Sequence, residues 1–360
     1  MDKKWEFLKN LCETPSPAGF ESRAVEVFLN YLKPYADKTL TDSYGSGVAI
    51  LNPDGRPRVY VCGHADEIGF IINHIDENGF ASFKELGGWD LVVVPGRRVK
   101  IYTADGRVVP GVIGSTAVHM KDAEERKKLL EMHKLFIDIG AKNVDDAKAH
   151  IAVGDVAVMD YPFTELMNGR IVSKALDNKI GCWCAAEVLR AFSESSDKLD
   201  ACIIAGANVM EEIGGHGANM LAQSQRPDCA VVYDVTQSTD TPGVEKTKFG
   251  DIRMGAGPVV SLGSANNLAM FRRFQTAAKT LEMQVQTEIN AARTGTDADS
   301  VFRANGGIPS IVISPAERYM HTPVEMLDKE DLENIVKLTV QFIKELKPGE
   351  TITATPWNAG

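Results

Sequence analysis

Glu211 and Glu212 are adjacent carboxylates at the end of an apolar run, Ala201–Val209, that reads as a buried strand. Ligands and catalytic groups in open α/β sheets collect where parallel strands end. Neighbouring side chains at a strand end point in different directions, so one carboxylate can hold a metal ion while the other faces the water bound to it. Alone, such a pair is most often solvated charge. Four further places give it company: His64 after the Val59–Cys62 run, Asp177 in Ala175-Leu-Asp-Asn-Lys-Ile-Gly181, Asp234 closing Val231-Val-Tyr, and His321 in Tyr319-Met-His-Thr-Pro-Val-Glu325. With Glu212 they make two imidazoles and three carboxylates, the set expected for a pair of zinc- or cobalt-class ions with one bridging carboxylate. Two ions ~3.5–4 Å apart can clamp a hydroxide and a carbonyl oxygen together. Asp177, on a loop entering a helix, suits the bridge. Asp66, two residues beyond His64, can accept the second ring N–H of that histidine.

Each residue also has a plainer reading. A histidine after a strand is more often a hydrogen-bonded structural residue, and Asp234 before Val-Thr can simply start a turn or a cap. His74, His119, His133 and His150 read as surface or packing residues, and His216, after Gly214-Gly215, as a structural residue at a helix start. Other chemistries find no support: there is no Gly-x-Ser-x-Gly elbow, no phosphate loop, and Met254-Gly-Ala-Gly-Pro258 lacks the third glycine of a dinucleotide site.

The elements that must position these groups can be read from periodicity. Helices are expected over Lys3–Cys12 and Glu21–Leu32, then strands over Val48–Leu51 and Val59–Cys62. From Phe70 to Leu166 the chain is Gly-punctuated and β-rich, with strand pieces at Val92–Val94, Arg98–Tyr102 and Val108–Ile113 and one helix over Asp122–His133. Beyond Asn168 strands and helices alternate again, ending in a helix over Lys329–Leu346. The fold class is therefore α/β: a helix-flanked mixed or parallel sheet built from residues 1–69 and 167–360, with a small β-barrel-like domain, residues 70–166, inserted. The tail from Thr351 to Gly360 reads as loosely ordered.

Composition bounds the function. A chain of 360 residues, 44% hydrophobic and 24% charged, is an ordinary globular protein. Its net charge of -10, without a basic run, argues against a nucleic-acid partner. The six cysteines are scattered, mostly in apolar runs, and fit free thiols in a reducing compartment. A charged N-terminus without a signal-peptide core, and no apolar run near ~20 residues, point to a cytoplasmic protein with no membrane partner.

Taken together, Gly63-His-Ala-Asp-Glu-Ile-Gly69, Ala175-Leu-Asp177, Glu211-Glu-Ile-Gly214, Asp234-Val-Thr with Asp240-Thr-Pro-Gly243, Gly295-Thr-Asp-Ala298 and His321-Thr-Pro-Val-Glu325 resemble the di-metal tetrahedral aminopeptidases, the family that includes glutamyl aminopeptidases. The resemblance runs almost the whole chain. It implies two divalent metal ions per subunit, zinc or cobalt, held by His64, Asp177, Glu212, Asp234 and His321, with Glu211 as general base and Asp66 behind His64. It further implies that the inserted module is a dimerisation domain and that dimers assemble into a dodecamer. The family commonly has Asp-Arg after the bridging aspartate, where this chain has Asn178-Lys179; Gln237 and His216 stand where His and Arg are expected.

The expected function is removal of N-terminal residues from peptides, with Glu211 activating a metal-bridged water. Two alternatives remain at this point: another di-metal amide hydrolase, either a deacylase or a carboxypeptidase, and a non-enzymatic assembly protein with a structural metal site. Arg293, Gly295 and Thr296 are expected to contact substrate, the arginine favouring acidic N-terminal residues.

Overall fold

The computed structural model describes residues 2–354 and 356. Its core is an eight-stranded sheet in the order Lys38–Thr41, Gly47–Leu51, Cys202–Asn208, Arg58–His64, Cys229–Tyr233, Ser310–Ser314, Val259–Leu262, Gln286–Ile289. The four strands from Cys202–Asn208 to Ser310–Ser314 are mutually parallel. They are buried on both faces, which is why they read as continuous apolar runs rather than alternating ones. Their C-terminal ends emerge along one edge, where Asn208 lies opposite His64. Antiparallel neighbours, Gly47–Leu51 and Val259–Leu262, close off the parallel block on either side.

Helices Lys3–Glu13, Ser22–Leu32, Leu176–Ser193, Leu268–Thr280 and Lys329–Lys344 cover one face; His216–Gln225 and Ala298–Val301 cover the other. Leu176–Ser193 approaches the strand Arg58–His64 unusually closely. A Cβ on Gly63 would sit 2.4 Å from the carbonyl carbon of Gly181, so the strand and helix meet glycine to glycine. That contact brings the start of the helix, and with it Asp177, alongside His64.

Six strands between Gly69 and Met159 close into a barrel, in the order Gly69–Ile75, Ala81–Leu86, Phe136–Asp138, Val108–Gly114, Arg98–Tyr102, Val156–Met159. Phe70, Ile72, Phe83, Val99, Ile101, Ile113 and Ile137 fill its interior. The expected mixed sheet with a small barrel is thus the observed fold. By Phe163, which packs into the main core, the chain has left the barrel, and Thr164–Glu165 pairs with Arg170–Ser173.

Some local expectations do not hold. Val92–Val94 is a turn, not a strand, because the Asp90 carboxylate accepts the Val92 N–H at 2.9 Å and its carbonyl accepts the Val93 N–H at 3.1 Å. In place of a helix over Asp122–His133 there are two single 3-10 turns, Glu125–Lys127 and Met132–Lys134. Leu129 is 90% exposed there, so the apolar positions gain no burial to stabilise a helix. The short strand Lys38–Thr41 went unread, having no apolar alternation and an exposed face. The tail expectation falls partly outside the described residues, but Ile352 within it is buried against the main core. All six cysteines are buried and free. Among the described residues no helix is long and apolar enough to cross a membrane.

Candidate active site

The edge where the parallel strands end gathers the expected groups. His64 is the last residue of its strand; Glu211 and Glu212 follow Cys202–Asn208, Asp234 follows Cys229–Tyr233, and His321 lies beyond Ser310–Ser314. Asp177 stands between the two histidines. Its Oδ1 is 3.2 Å from His64 Nε2 and its Oδ2 is 3.3 Å from His321 Nε2. Glu211 Oε2 lies 3.8 Å from His64 Nε2, on one side; Glu212 Oε1 lies 3.5 Å from His321 Nε2, on the other. Ligand atoms of His64, Asp177 and Glu212 all fall within 4.8 Å of one another. Asp234 is buried on the wall of the same cavity, its Oδ1 accepting the Val235 N–H at 2.8 Å.

Carboxylates that touch backbone rather than one another fix this cluster. Asp66 accepts the Glu211 N–H on Oδ1 (3.1 Å) and the Glu212 N–H on Oδ2 (3.0 Å), while His64 Nδ1 lies 3.3 Å from its Oδ1 and 3.2 Å from its carbonyl oxygen. Glu325 accepts the N–H of Asp177 and the N–H of His321, both at 3.1 Å. Glu21 accepts the Met210 N–H at 3.0 Å. Asn208 donates to Asp297 at 2.7 Å and accepts from Tyr60, forming a buried polar chain beneath the strand ends.

Burial and crowding of like charge dominate the electrostatics of the cluster. Burial pushes the Glu211 carboxyl well above its ordinary range; His64 opposes this, and Asp234, Asp297 and Glu212 reinforce it. Burial and then Asp177 raise Glu212 to about 8, and raise Asp234 well above the usual aspartate value. Burial disfavours a charged His64, yet Asp66, Asp177 and Glu211 together hold its pKa well above normal. Among the described residues, both Glu317 oxygens, buried near Glu325, and Asp297 Oδ1 have no hydrogen-bond partner. Two imidazoles with so many carboxylates therefore fit divalent cations, which offset the mutual repulsion that otherwise forces these acids to keep protons.

Comparison with known proteins decides what the site serves. Residues 45–338 match the M42 glutamyl aminopeptidase family. The chain belongs to that family. It is 34% identical to the TET aminopeptidase of the marine sediment archaeon Thaumarchaeota archaeon SCGC AB-539-E09, with a TM-score of 0.91 over 96% of this chain and 97% of that one. The lysyl aminopeptidase of Pyrococcus furiosus is 29% identical over 347 residues, 96% of this chain and 98% of its own. The TET1 peptidase of Pyrococcus horikoshii, described as able to assemble into a tetrahedron or a large octahedral shell, matches at 28% identity and a TM-score of 0.84, over 96% of this chain and 100% of that one. This member of the M42 family is a metal-dependent aminopeptidase, and the alternatives of another di-metal amide hydrolase, a deacylase or a carboxypeptidase, and of a non-enzymatic assembly protein fall away.

In this M42 chain the cluster opens onto a cavity of about 950 Å³. Arg293, Gly295 and Thr296 line it, as do Gln237, Phe249, Glu288 and Arg303. The Asp299 carboxylate accepts the Thr294 and Gly295 N–H groups, each at 3.0 Å, and so shapes the loop that carries them. Glu288, held by the Thr236 and Ser261 hydroxyls at 2.6 and 2.9 Å, puts an anion into the same cavity as Arg293. His74, His119, His133, His150 and His216 are exposed and do not line it. Glu325, Glu21 and Asp297 were not singled out from sequence. Glu325 had a signal, four residues after His321 in the same motif; Glu21 had none, because its partner is 189 positions away.

Proposed function

We propose that this aminopeptidase works through a pair of divalent ions, zinc or cobalt, held by His64, Asp177, Glu212, Asp234 and His321, with Glu211 as general base. The observation that carries the proposal is Asp177 reaching one histidine with each oxygen, the arrangement of a bridging carboxylate. When bound, such a pair polarises the scissile carbonyl and lowers the pKa of water. The chain's own residues do the rest. Glu211 is not among the bridged groups; it takes a proton from the attacking water and returns it to the leaving amine nitrogen. Asp66 holds the His64 ring and, through the backbone, the direction of Glu211.

Arg293, Gly295 and Thr296 contact the N-terminal residue of a peptide substrate, and the exposed Arg293 guanidinium favours an acidic side chain there. The barrel, residues 70–166, serves as a dimerisation domain between catalytic segments 1–69 and 167–360. The dimers build a dodecamer, in keeping with the shell-forming Pyrococcus horikoshii relative. The acidic chain acts in the cytoplasm without nucleic-acid or membrane partners. Turnover of chromogenic single-residue amides beside their N-acetylated counterparts tests the proposal, with zinc and cobalt measured in the same sample. Cleavage of the free-amine series alone, with two metal equivalents per chain, is expected. Equal cleavage of the blocked series, or activity in metal-free protein, contradicts it.

A further inference from the structure

A loop of the inserted barrel reaches the proposed metal site. His321 Nδ1 lies 2.7 Å from the carbonyl oxygen of Gly88, on the loop between barrel strands Ala81–Leu86 and Arg98–Tyr102. A metal-ligating histidine depends on such an acceptor to fix its tautomer and ring angle. The two histidines of this site differ in how they obtain one. His64 is fully buried and uses Asp66, two residues away, whereas His321 is one-third exposed and depends on a group 233 positions away in the barrel. His321 and nearby Tyr319 both have positive φ, 58° and 65°.

Gly88 is exposed and has no side chain to anchor it; its neighbour supplies the anchor. Trp89 Nε1 donates to the Gly69 carbonyl at 3.1 Å, and its ring stacks on Phe70 at 4.8 Å and 16°. Phe70 is buried and meets Phe83 edge-on inside the barrel. On the other side of Gly88, Gly87 adopts φ +80°, and a Cβ there would lie 2.5 Å from Ile68 Cγ2 and 3.1 Å from Glu212 Oε2. The loop therefore backs His321 and Glu212, which face each other, and leaves His64 to the sheet.

We propose that the barrel completes one half of the metal site, with Trp89 the positioning residue that holds the Gly88 carbonyl against His321. The inference rests on His321 being a ligand, and its test separates the two claims. Equilibrium zinc binding is measured by chelator competition for the wild type, His321→Ala, Trp89→Ala and Trp89→Phe, with sedimentation and circular dichroism on each. His321→Ala loses one metal equivalent. Trp89→Ala weakens one equivalent by ~10-fold or more and leaves the other unchanged, in line with the loss of an outer partner of a ligand. Trp89→Phe, which keeps the stacking but not the Nε1–H, weakens the same equivalent by less, and it carries the test if Trp89→Ala does not fold. Two equivalents within about twofold of wild type in the Trp89 variants that fold, beside a loss in His321→Ala, overturn the proposal. Equal weakening of both equivalents in them overturns it too, since Trp89 would then support only the general fold. Two intact equivalents in His321→Ala overturn the ligand assignment, and the proposal with it.

Discussion

Three successive backbone amides, those of Met210, Glu211 and Glu212, each end on a buried carboxylate: Glu21 takes the first and Asp66 the other two. Met210 is held at φ +58°, and this clamped turn sends Glu211 toward His64 and Glu212 toward His321. The clamp has a pH signature. Burial, then the nearby Asp66, raise the Glu21 carboxyl to about 7 from an ordinary value near 4.5. Between those values the folded chain holds a proton that the unfolded chain has lost, so stability falls as pH rises through the window. The effect is roughly 1–3 kcal/mol across it. Urea unfolding of the wild type and Glu21→Gln from pH 4 to pH 8 should show the wild type losing ground as pH rises; parallel curves would refute the assignment. The residues proposed to carry chemistry could be read because each follows an apolar run or sits in a compact motif. Glu21, which holds the Met210 amide, could not, since its partner lies far away in sequence; Asp297 lay within a quoted motif, but its hold on Asn208, 89 positions away, left no mark there.

At the scale of elements, the approach of strand Arg58–His64 to helix Leu176–Ser193 sets the distance between two proposed ligands. Gly63→Ala places a methyl group 2.4–2.5 Å from Gly181 backbone atoms, closer than real contacts allow. The helix must shift, taking Asp177 with it. We expect destabilisation of about 1–3 kcal/mol, as for overpacked cores, together with weaker metal retention. Denaturant midpoints and metal content check this, and unchanged values for both would contradict it. Long buried elements were legible because burial on both faces, or a helical stripe, leaves a strong apolar pattern. Val92–Val94 and Asp122–His133 misled for a shared reason: their composition favoured one element, but Asp90 captured the first as a turn and the second found no core to pack on.

For the whole molecule, the order of the motifs along the chain announced the family, and the barrel announced itself as a change of texture after Gly69. The proposed assembly rests on the resemblance, since no contact within one chain encodes it. The approach of the Gly88 carbonyl to His321 is the ground for proposing the barrel as part of the site, beside its proposed role as a surface for other copies. Sedimentation at micromolar concentration should show dimers or larger species, with dodecamer as the end state; monomer alone would contradict the assembly.

Two adjacent glutamates divide the labour in the proposed mechanism, and metal stoichiometry measured beside turnover number in Glu211→Gln and Glu212→Ala separates their roles. Glu212→Ala should lose one metal equivalent and its activity together, because an incomplete ligand shell cannot hold the ion. Glu211→Gln keeps the shape but cannot accept a proton, so it should retain both metals while turnover falls by ~10²–10⁴. Loss of a metal from Glu211→Gln, or near-normal turnover with both metals bound, would show that Glu211 is not the base.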